Sequence, residues 1–391
     1  MKTKTILIIG SGHLAYRVKK LVEEKGYAIT HITDIALQAK DNHVSLIDSV
    51  IASLHKVDIS SLFMTYILDE KDQYNLELLI ALMAIHPHLP ITTSLFNENI
   101  RPYLQSAYPQ LQILNPARIA APFFVSALYE PQKIITSLVA PQQYTKPLKH
   151  HTDSFIRWLV TSFLFFILLA TGFFHFNDQL SWIDAFYFVV VTVSTVGYGD
   201  ISLHHSSTLS KIVGITLILS STIFIWMIFS LTIDRIIKKR VQWELGRKKY
   251  HYKNHVILCG LGRLGYFIAD ELHNRGEKVV VVETNEDSPN IHYFRNLGID
   301  VYTGNARLPR VLQDAGVAKA RALISAIDDD YANLEVALTA RSFQPDIRLV
   351  LRIFDPAMAR VIKDKLDIHL TLSMSAIADD EFAARLTNLK Q

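Results

Sequence analysis

The chain has 391 residues and a net charge of only +3 at pH 7, so its overall charge gives no argument for binding nucleic acid. Hydrophobic residues make up 50% of the chain and charged residues 20%, below the roughly 25% usual in soluble domains. The single cysteine, Cys259, excludes an intrachain disulfide framework and a cysteine-rich metal site, and we predict no other metal site. The composition therefore predicts two or three domains, part of which lies in a membrane.

The chain begins with the pattern of a dinucleotide-binding unit. An apolar strand at residues 6–9 runs into a glycine turn and then into a helical pattern. A weaker strand at residues 28–33 ends at an acid that could reach a ribose hydroxyl. This pattern predicts the weaker of two nucleotide sites in the chain, formed by Gly10, Gly12, His13, Ala15 and Asp34. The alternative is a retained fold with an empty pocket.

The alternation of strand and helix patterns divides the chain into segments. Residues 1–135 are predicted to form an α/β Rossmann-like domain, and residues 136–153 an exposed linker that contains proline and glutamine. Residues 154–240 are the apolar part, residues 241–253 a second linker, and residues 254–391 a second α/β domain. The predicted fold class is therefore mixed, with a helical membrane segment flanked by two Rossmann-like domains.

Two apolar stretches are long enough to cross a bilayer as helices. Residues 158–174 and 212–233 carry no charged side chain, and about 20 apolar residues span the hydrocarbon core. Between them, residues 182–194 are apolar but too short to cross, which is typical of a re-entrant helix. The pattern predicts a pore made of two spans and a short pore helix. The alternative is a helical hairpin in a soluble core.

A six-residue loop follows the short apolar stretch: Thr195, Val196, Gly197, Tyr198, Gly199 and Asp200. In such a loop the first four carbonyls can point the same way and replace the water shell of a cation. The two glycines allow backbone conformations that a Cβ would disfavour. The loop resembles the selectivity filter of potassium channels, which implies K⁺ as the permeant ion. The alternative, a glycine-containing surface turn, does not explain its place between two spans.

One chain supplies two spans and one such loop, whereas a ring of carbonyls around an ion needs several loops. The pore resembles the two-span class of potassium channels. That resemblance implies a homotetramer around one axis within a lipid bilayer.

Positively charged residues precede the first span and follow the second span in the sequence. They are Lys146, Lys149 and Arg157 before the first span, and Arg235, Lys238, Lys239, Arg240, Arg247, Lys248 and Lys249 after the second. The loop between the spans has Lys211 alone. The positive-inside rule therefore predicts that both termini are cytoplasmic. The resemblance implies the plasma (inner) membrane of a prokaryote.

The C-terminal part contains a complete dinucleotide fingerprint. A strand at residues 254–258 leads into Gly260, Gly262 and Gly265, and Glu283 ends the next strand, 21 residues after Gly262. In this pattern the helix N-terminus takes phosphates and the acid takes ribose hydroxyls. Because Glu283 would repel a 2′-phosphate, we predict NAD(H) or an adenine nucleotide as the ligand. The alternative is a fold whose glycines serve only helix–strand packing.

The same region resembles the regulator-of-potassium-conductance domain, called RCK, KTN or TrkA-N-like. The resemblance rests on the Gly-x-Gly-Arg-x-Gly turn, on the loop at residues 304–306 and on residues 326–334. It implies a regulatory nucleotide that binds at Gly260, Gly262, Arg263, Leu264, Gly265, Glu283, Asn305, Ala306 and Asp328. The aspartate run at residues 328–330 could also take a divalent cation, but a solvated loop is the preferred interpretation.

The two α/β segments repeat each other along the sequence. The glycine turns match at an offset of 250 residues, and later residues match at an offset of 258. The later pairs include Asn75 and Asn333, Phe96 and Phe354, Phe124 and Phe382, and Leu128 and Leu386. Because the first copy lacks a counterpart of the loop at residues 304–306, we predict that it is degenerate. Alternatively, it serves only as a packing partner.

These patterns predict a potassium-selective channel gated by a nucleotide on its cytoplasmic domains. Two alternatives are open: a membrane-tethered NAD-dependent oxidoreductase, and a regulatory subunit that does not conduct. An oxidoreductase has no use for the filter loop, and no stretch of the chain is left over for a substrate domain. We therefore predict no catalytic residues and no enzymatic activity.

Overall fold

The structure is a computed structural model that describes residues 5–33, 62–130, 152–355, 358–359, 361–362 and 370–388. Asp34, which we predicted to reach a ribose, and most of the linker predicted at residues 136–153 lie outside the described residues.

The N-terminal segment (residues 5–130) forms a parallel sheet. The strands among its described residues are β1 (Thr5–Ile9), β2 (Ala28–Ile32), β3 (Leu62–Ile67), β4 (Ile91–Ser94) and β5 (Gln112–Leu114). Its helices are α1 (His13–Glu24), α2 (Asp72–Ile85), α3 (Arg101–Ala107) and α4 (Pro116–Ser126). The strand order is β2-β1-β3-β4-β5. The central strands are apolar on both faces because helices cover both sides of a parallel sheet.

The apolar part of the chain forms a separate helical unit. Its helices are α5 (Thr152–Asn177), α6 (Trp182–Val193) and α7 (Thr208–Glu244). Among the described residues, α5 from Phe155 onward and α7 are the two helices long and apolar enough to cross a membrane. They pack with α6 around a small buried cluster that includes Phe174, Val189 and Leu217. Many of their large apolar side chains are exposed in a single chain, as expected for surfaces that face lipid or other subunits.

The C-terminal segment (residues 245–388) forms a second parallel sheet. The strands among its described residues are β6 (Val256–Cys259), β7 (Val279–Glu283), β8 (Asp300–Thr303), β9 (Ala322–Ser325), β10 (Arg348–Arg352) and β11 (Leu370–Leu372). Its α-helices include α8 (Arg263–Asn274), α9 (Pro289–Asn296), α10 (Pro309–Asp314), α11 (Asp330–Phe343) and α12 (Met374–Asn388). The strand order is β11-β10-β9-β6-β7-β8, with the reversal beside β6 that marks a doubly wound fold.

The two segments exchange the helices that follow their last strands. Helix α4 of the N-terminal segment packs on α8, and its Phe124 is buried in one cluster with Val256 and Ile268 of the C-terminal segment. Helix α12 of the C-terminal segment packs on α1, and its Phe382 is buried with Ile8 and other residues of the N-terminal segment. Each sheet therefore owes part of its cover to the other segment.

Polar contacts follow the exchanged helices. The Arg17 guanidinium pairs with the buried carboxylate of Asp379 on α12 at 2.6 Å. The Tyr66 hydroxyl donates a hydrogen bond to the carbonyl of Phe382 at 2.9 Å. In the other direction, the Arg348 guanidinium donates to the carbonyl of Ala127 at 2.8 Å. These bonds fix the position of each helix on the opposite sheet.

The packing corrects the predicted division into two flanking domains. The described residues of Met1–Gln143 and Leu245–Gln391 form one compact unit, and those of Tyr144–Glu244 form another. The sequence repeat predicted two bodies because each copy has its own strands and glycine turn. The exchanged helices join them, since neither sheet is covered by its own segment alone.

A buried histidine makes the stability of this unit dependent on pH. His255 is fully buried, its Nε2 donates to the carbonyl of Ala315 at 2.9 Å, and its Nδ1 has no partner among the described residues. Burial lowers the pKa of His255 below its ordinary value of 6.5. The unfolded chain therefore takes up a proton first as the pH falls, so this contribution to stability is present above about pH 6.5 and is lost below it.

We therefore expect the unfolding temperature of the wild type to fall between about pH 7.5 and 5.5 by more than that of His255→Gln, which keeps a donor but does not titrate. Thermal unfolding of the purified full chain at both pH values measures the difference. His251→Gln is the matched control, because His251 is exposed. An equal loss in the wild type and in His255→Gln would contradict the prediction.

Candidate functional site

Hydrogen bonds at both ends of the short helix α6 fix its N-terminus and attach the following loop to its C-terminus. Its N-cap, Ser181, accepts a hydrogen bond from the backbone N–H of Asp184 at 3.1 Å. At the other end, the N–H groups of Val196 and Gly197 both reach the carbonyl of Val191, at 3.2 and 3.3 Å. The loop is thereby attached to the C-terminal end of α6, where the partial negative charge of a helix favours a cation.

The backbone φ angles of the loop alternate between positive and negative values along the chain. The φ angle is +60° at Thr195, +57° at Gly197 and +80° at Gly199, while Val196 and Tyr198 keep negative φ. Such alternation turns successive carbonyls toward one side of the chain, which is what coordination of a dehydrated cation requires. Thr195 is a threonine in the left-handed region, a strained conformation that clusters at functional sites.

The C-terminal end of the loop is joined to α6 by a side-chain hydrogen bond. The Tyr187 hydroxyl donates to the Asp200 carboxylate at 2.8 Å. The side chains of Val196 and Tyr198 are 52% and 73% exposed in a single chain. An apolar and an aromatic side chain left so exposed indicate a surface that another molecule covers.

The glycine turn before α8 has the geometry of the fingerprint. Gly260 has φ +94°, which favours glycine. A Cβ on Gly265 would lie 2.0 Å from the carbonyl oxygen of Gly260, so strand and helix can approach this closely only without one. A Cβ on Gly262 would meet nothing within 4 Å, so the space in front of the helix N-terminus is open. Free N–H groups at a helix N-terminus bind phosphate groups.

Glu283 faces this turn from the end of β7. One carboxylate oxygen accepts a hydrogen bond from the backbone N–H of Leu261 at 2.5 Å, and the other from the N–H of Asn285 at 2.7 Å. The acid is thus held beside the glycine turn by two backbone hydrogen bonds.

A cavity of about 820 Å³ opens at this turn, and both segments line it. The C-terminal segment contributes Gly262, Arg263, Glu283 and two tyrosines, Tyr266 and Tyr293. The N-terminal segment contributes Asp72 and residues 96–99. The volume lies within the 300–1,000 Å³ range of small-molecule sites. The N-terminal segment is therefore part of the wall of the C-terminal site.

Arg263 points across to the N-terminal segment. Its guanidinium lies 4.4 Å from the centre of the Phe96 ring and donates to the carbonyl of Glu70 at 2.6 Å. The corresponding residue of the first copy, His13, packs on Phe354 with ring centres 5.8 Å apart. The sequence repeat contained both phenylalanines as a matched pair, but it gave no sign that each covers the opposite glycine turn.

The first glycine turn is narrower. A cavity of about 420 Å³ there is lined by Gly12 and His13, by Glu70 and by residues of the C-terminal segment. A Cβ on Gly12 would lie 2.7 Å from Cγ and 3.0 Å from a carboxylate oxygen of Glu70. The Glu70 side chain therefore fills the space in front of Gly12, whereas the equivalent space at Gly262 is open. A carboxylate at this place competes with a phosphate group for the same helix N-terminus.

Asp328 lies in this second cavity rather than beside Glu283. It pairs with Arg352, whose side chain is buried and packs on Phe354. Burial lowers the pKa of the Arg352 guanidinium, and the carboxylate of Asp328 opposes that shift. Sequence reasoning missed Arg352, because nothing in a strand sequence marks a charge that faces another segment.

The remaining predicted ligand residues lie around the two turns without lining the larger cavity. Leu264, Ala306 and Ala15 are buried, so only their backbones could face a ligand. Asn305 accepts a hydrogen bond from the N–H of Arg307 at 3.0 Å. Gly10 has φ +140° and sits against the backbone of Leu68. Among the described residues there is no group of three or more side chains that could hold a metal ion.

Comparison with known families divides the chain as the motifs do. Residues 159–238 match the family described as "Ion channel", and residues 256–373 match the family described as "TrkA-N domain". The first match covers most of α5 and α7 together with α6 and the six-residue loop, and the second covers the C-terminal sheet. The chain resembles potassium channels that carry a TrkA-N domain.

The curated relatives include proteins that are named as potassium channels. The "Voltage-gated potassium channel Kch" of Escherichia coli is 32% identical over 222 residues, covering 54% of this chain and 51% of the relative. The "Probable potassium channel protein 2" of Methanocaldococcus jannaschii is 26% identical over 192 residues, covering 48% of this chain and 55% of the relative. The chain thus spans about half the length of these relatives.

Among solved structures, that of the GsuK RCK domain aligns with a TM-score of 0.57 and 15% sequence identity, covering 100% of this chain and 78% of that one. At this identity the likeness concerns the fold alone, a parallel-sheet α/β architecture with Rossmann-like order.

Proposed function

We propose that four copies of this chain form a potassium-selective channel. The observation that carries the proposal is the filter loop, whose φ angles alternate in hand directly after the pore helix and between two spans. One chain offers one such loop, and a carbonyl ring around a dehydrated ion needs several. The exposed Val196 and Tyr198 side chains would then pack against the neighbouring subunits.

The channel is regulated by a nucleotide bound at the second glycine turn. The open helix N-terminus at Gly262 would take phosphate groups, and Glu283 would take ribose hydroxyls. A free 2′-hydroxyl suits Glu283 better than a 2′-phosphate, so NAD(H) or an adenine nucleotide is the proposed ligand. The first turn is a degenerate site, because the Glu70 side chain occupies the place at Gly12.

Both segments act as RCK-type regulatory domains in the cytoplasm, and the pore lies in the plasma membrane of a prokaryote. The positive residues after α7 support this orientation. The proposed activity is ion transport rather than catalysis, and the likeness to potassium channels supports it.

The test is K⁺ flux through the purified full chain in liposomes, with Na⁺ as the comparison ion and with NAD⁺, NADH or ATP added in turn. K⁺-selective flux that changes with a nucleotide supports both halves of the proposal. Selective flux that no nucleotide changes supports the pore and contradicts the regulation. An absence of flux under every condition favours a regulatory subunit that does not conduct.

The Gly262→Asp substitution is expected to weaken nucleotide binding by at least about tenfold, or about 1.4 kcal/mol. Gly262 is the N-cap of α8 with an extended conformation that aspartate also adopts. The new carboxylate would therefore fit without strain and would occupy the phosphate position. Isothermal titration of the purified full chain with NAD⁺, NADH or ATP measures the change.

Gly12→Asp is the matched control at the other turn, where a carboxylate is already present. We expect it to leave the affinity within about twofold, a change of less than about 0.5 kcal/mol. Equal losses in the two variants would mean that the first turn binds the nucleotide as well.

A further inference from the structure

The chain leaves α7 through a short strap (residues 245–250) that docks on the edge of the second sheet. The carbonyl of Leu245 accepts a hydrogen bond from the N–H of Thr303 at 2.9 Å, so the strap begins as a partner of β8. Gly246 has φ +68°, and a Cβ there would lie 2.0 Å from the carbonyl oxygen of Val301. Only glycine allows the chain to run this close to the strand.

Arg247, three residues after the end of α7, holds two loops at once. Its Nε donates to the carbonyl of Thr303 at 2.8 Å, and its Nη2 pairs with the Glu286 carboxylate. Thr303 ends β8 and Glu286 lies in the loop that follows β7. Carboxyl ends of neighbouring parallel strands are where ligands bind in doubly wound folds.

Both loops also connect to the proposed nucleotide contacts. The loop after β7 begins at Glu283, which bonds to the glycine turn through Leu261. The N–H of Gly304, directly after Thr303, donates to the carbonyl of Glu283 at 2.7 Å. A carboxylate has about four lone-pair sites, and backbone N–H groups use one on each oxygen of Glu283, so a ribose hydroxyl could bond there beside them. A ribose bound at Glu283 would therefore contact the loop at residues 283–288 directly.

We propose that Arg247 is the positioning residue through which the nucleotide site acts on the pore. It bonds to both loops and is joined to α7 by two residues of the strap. The inference rests on the proposed regulation by a nucleotide. It adds which residue transmits nucleotide binding to the pore. Arg247 does not line the cavity, so its loss should leave nucleotide binding intact. Its side chain and that of Glu286 are 38% and 49% exposed, so the pair contributes little to stability.

The expected result is a loss of regulation without a loss of binding. In wild-type liposomes the ratio of K⁺ flux with nucleotide to K⁺ flux without it measures the response of the pore. In Arg247→Gln this ratio should fall below about twofold, while the Kd for NAD⁺, NADH or ATP stays within about threefold of wild type. Glu286→Gln should lower the ratio in the same direction.

The double variant Arg247→Glu with Glu286→Arg tests the pairing itself, because it restores opposite charges in reversed order. The flux ratio with and without nucleotide should be higher in the double variant than in Arg247→Glu or Glu286→Arg alone. Arg240→Gln is the matched control: Arg240 pairs with Glu244 on α7, is 81% exposed and touches neither loop. It should leave the ratio unchanged.

Three outcomes would overturn the inference. A full response in Arg247→Gln would show that the signal takes another route. A Kd that rises more than about tenfold together with the loss of response would make Arg247 part of the ligand site. A wild-type protein that binds no nucleotide would overturn the proposed regulation, and this inference with it. The Kd of the wild type distinguishes that last case from the other two.

Discussion

Gly197→Asp is expected to reduce K⁺ flux to the level of liposomes without protein. Gly197 has φ +57°, and it lies between Val196 and Tyr198, whose φ is negative. Aspartate tolerates positive φ better than most residues, so backbone strain alone does not carry the prediction. The effect comes from four copies, because four carboxylates around one axis would repel each other and bind the ion too tightly to release it. Conduction needs sites from which the ion can leave.

The measurement is tracer or fluorescence-coupled K⁺ flux with matched amounts of protein, and size-exclusion chromatography checks the assembly. Gly172→Ala is the matched control, because Gly172 lies within α5 and a Cβ there would meet nothing within 4 Å. It should conduct like the wild type. Wild-type flux through the Gly197→Asp protein would mean that ions do not pass along this loop.

The pore helices could be predicted from the sequence because the membrane imposes a simple rule of length and charge. Their ends could not. The uncharged stretch ends at residue 233, and α7 continues past it to Glu244. The added turns carry pairs of opposite charge at four-residue spacing, Asp234 with Lys238 and Arg240 with Glu244. Such pairs support a helix that extends into water, where hydropathy gives no signal.

The glycine turns were predictable for a similar local reason. A turn between strand and helix needs glycine where φ is positive and where strand and helix meet, and Gly260 and Gly265 satisfy those two needs. The direction of Arg263 was not predictable, because its contacts with Phe96 and Glu70 join residues far apart in the sequence. The pairing of Asp328 with Arg352 in the second cavity was not predictable for the same reason, since the two residues are 24 positions apart.

The exchange of α4 and α12 is also absent from any local pattern. A small, apolar helix face such as that of α4, with Ala117, Ala120 and Ala121, fits either sheet equally well. What the repeat did indicate is that both helices carry a buried phenylalanine at matched positions, Phe124 and Phe382. The choice of sheet depends on contacts between distant segments, which a local sequence pattern does not record.

Phe124→Ala is expected to destabilise the C-terminal segment, although the residue belongs to the N-terminal one. Phe124 is fully buried, in one cluster with Val256, Leu258 and Ile268. Removing a buried phenylalanine ring costs about 3–5 kcal/mol, because apolar contacts are lost and a cavity is left. The loss should fall on β6 and α8. Hydrogen–deuterium exchange of the purified full chain should therefore show faster exchange in residues 256–274.

The repeat offers the reciprocal experiment and a close control. Phe382→Ala should speed exchange in β1 and α1, because Phe382 is buried with Ile6, Ile8 and Val18. Phe123→Ala should change little at either place, since Phe123 is next to Phe124 on α4 but is 55% exposed. If Phe124→Ala loosened only the N-terminal sheet, α4 would cover its own segment in solution. Crossed effects would mean that the proposed nucleotide site depends on the N-terminal segment for its fold as well as for its wall.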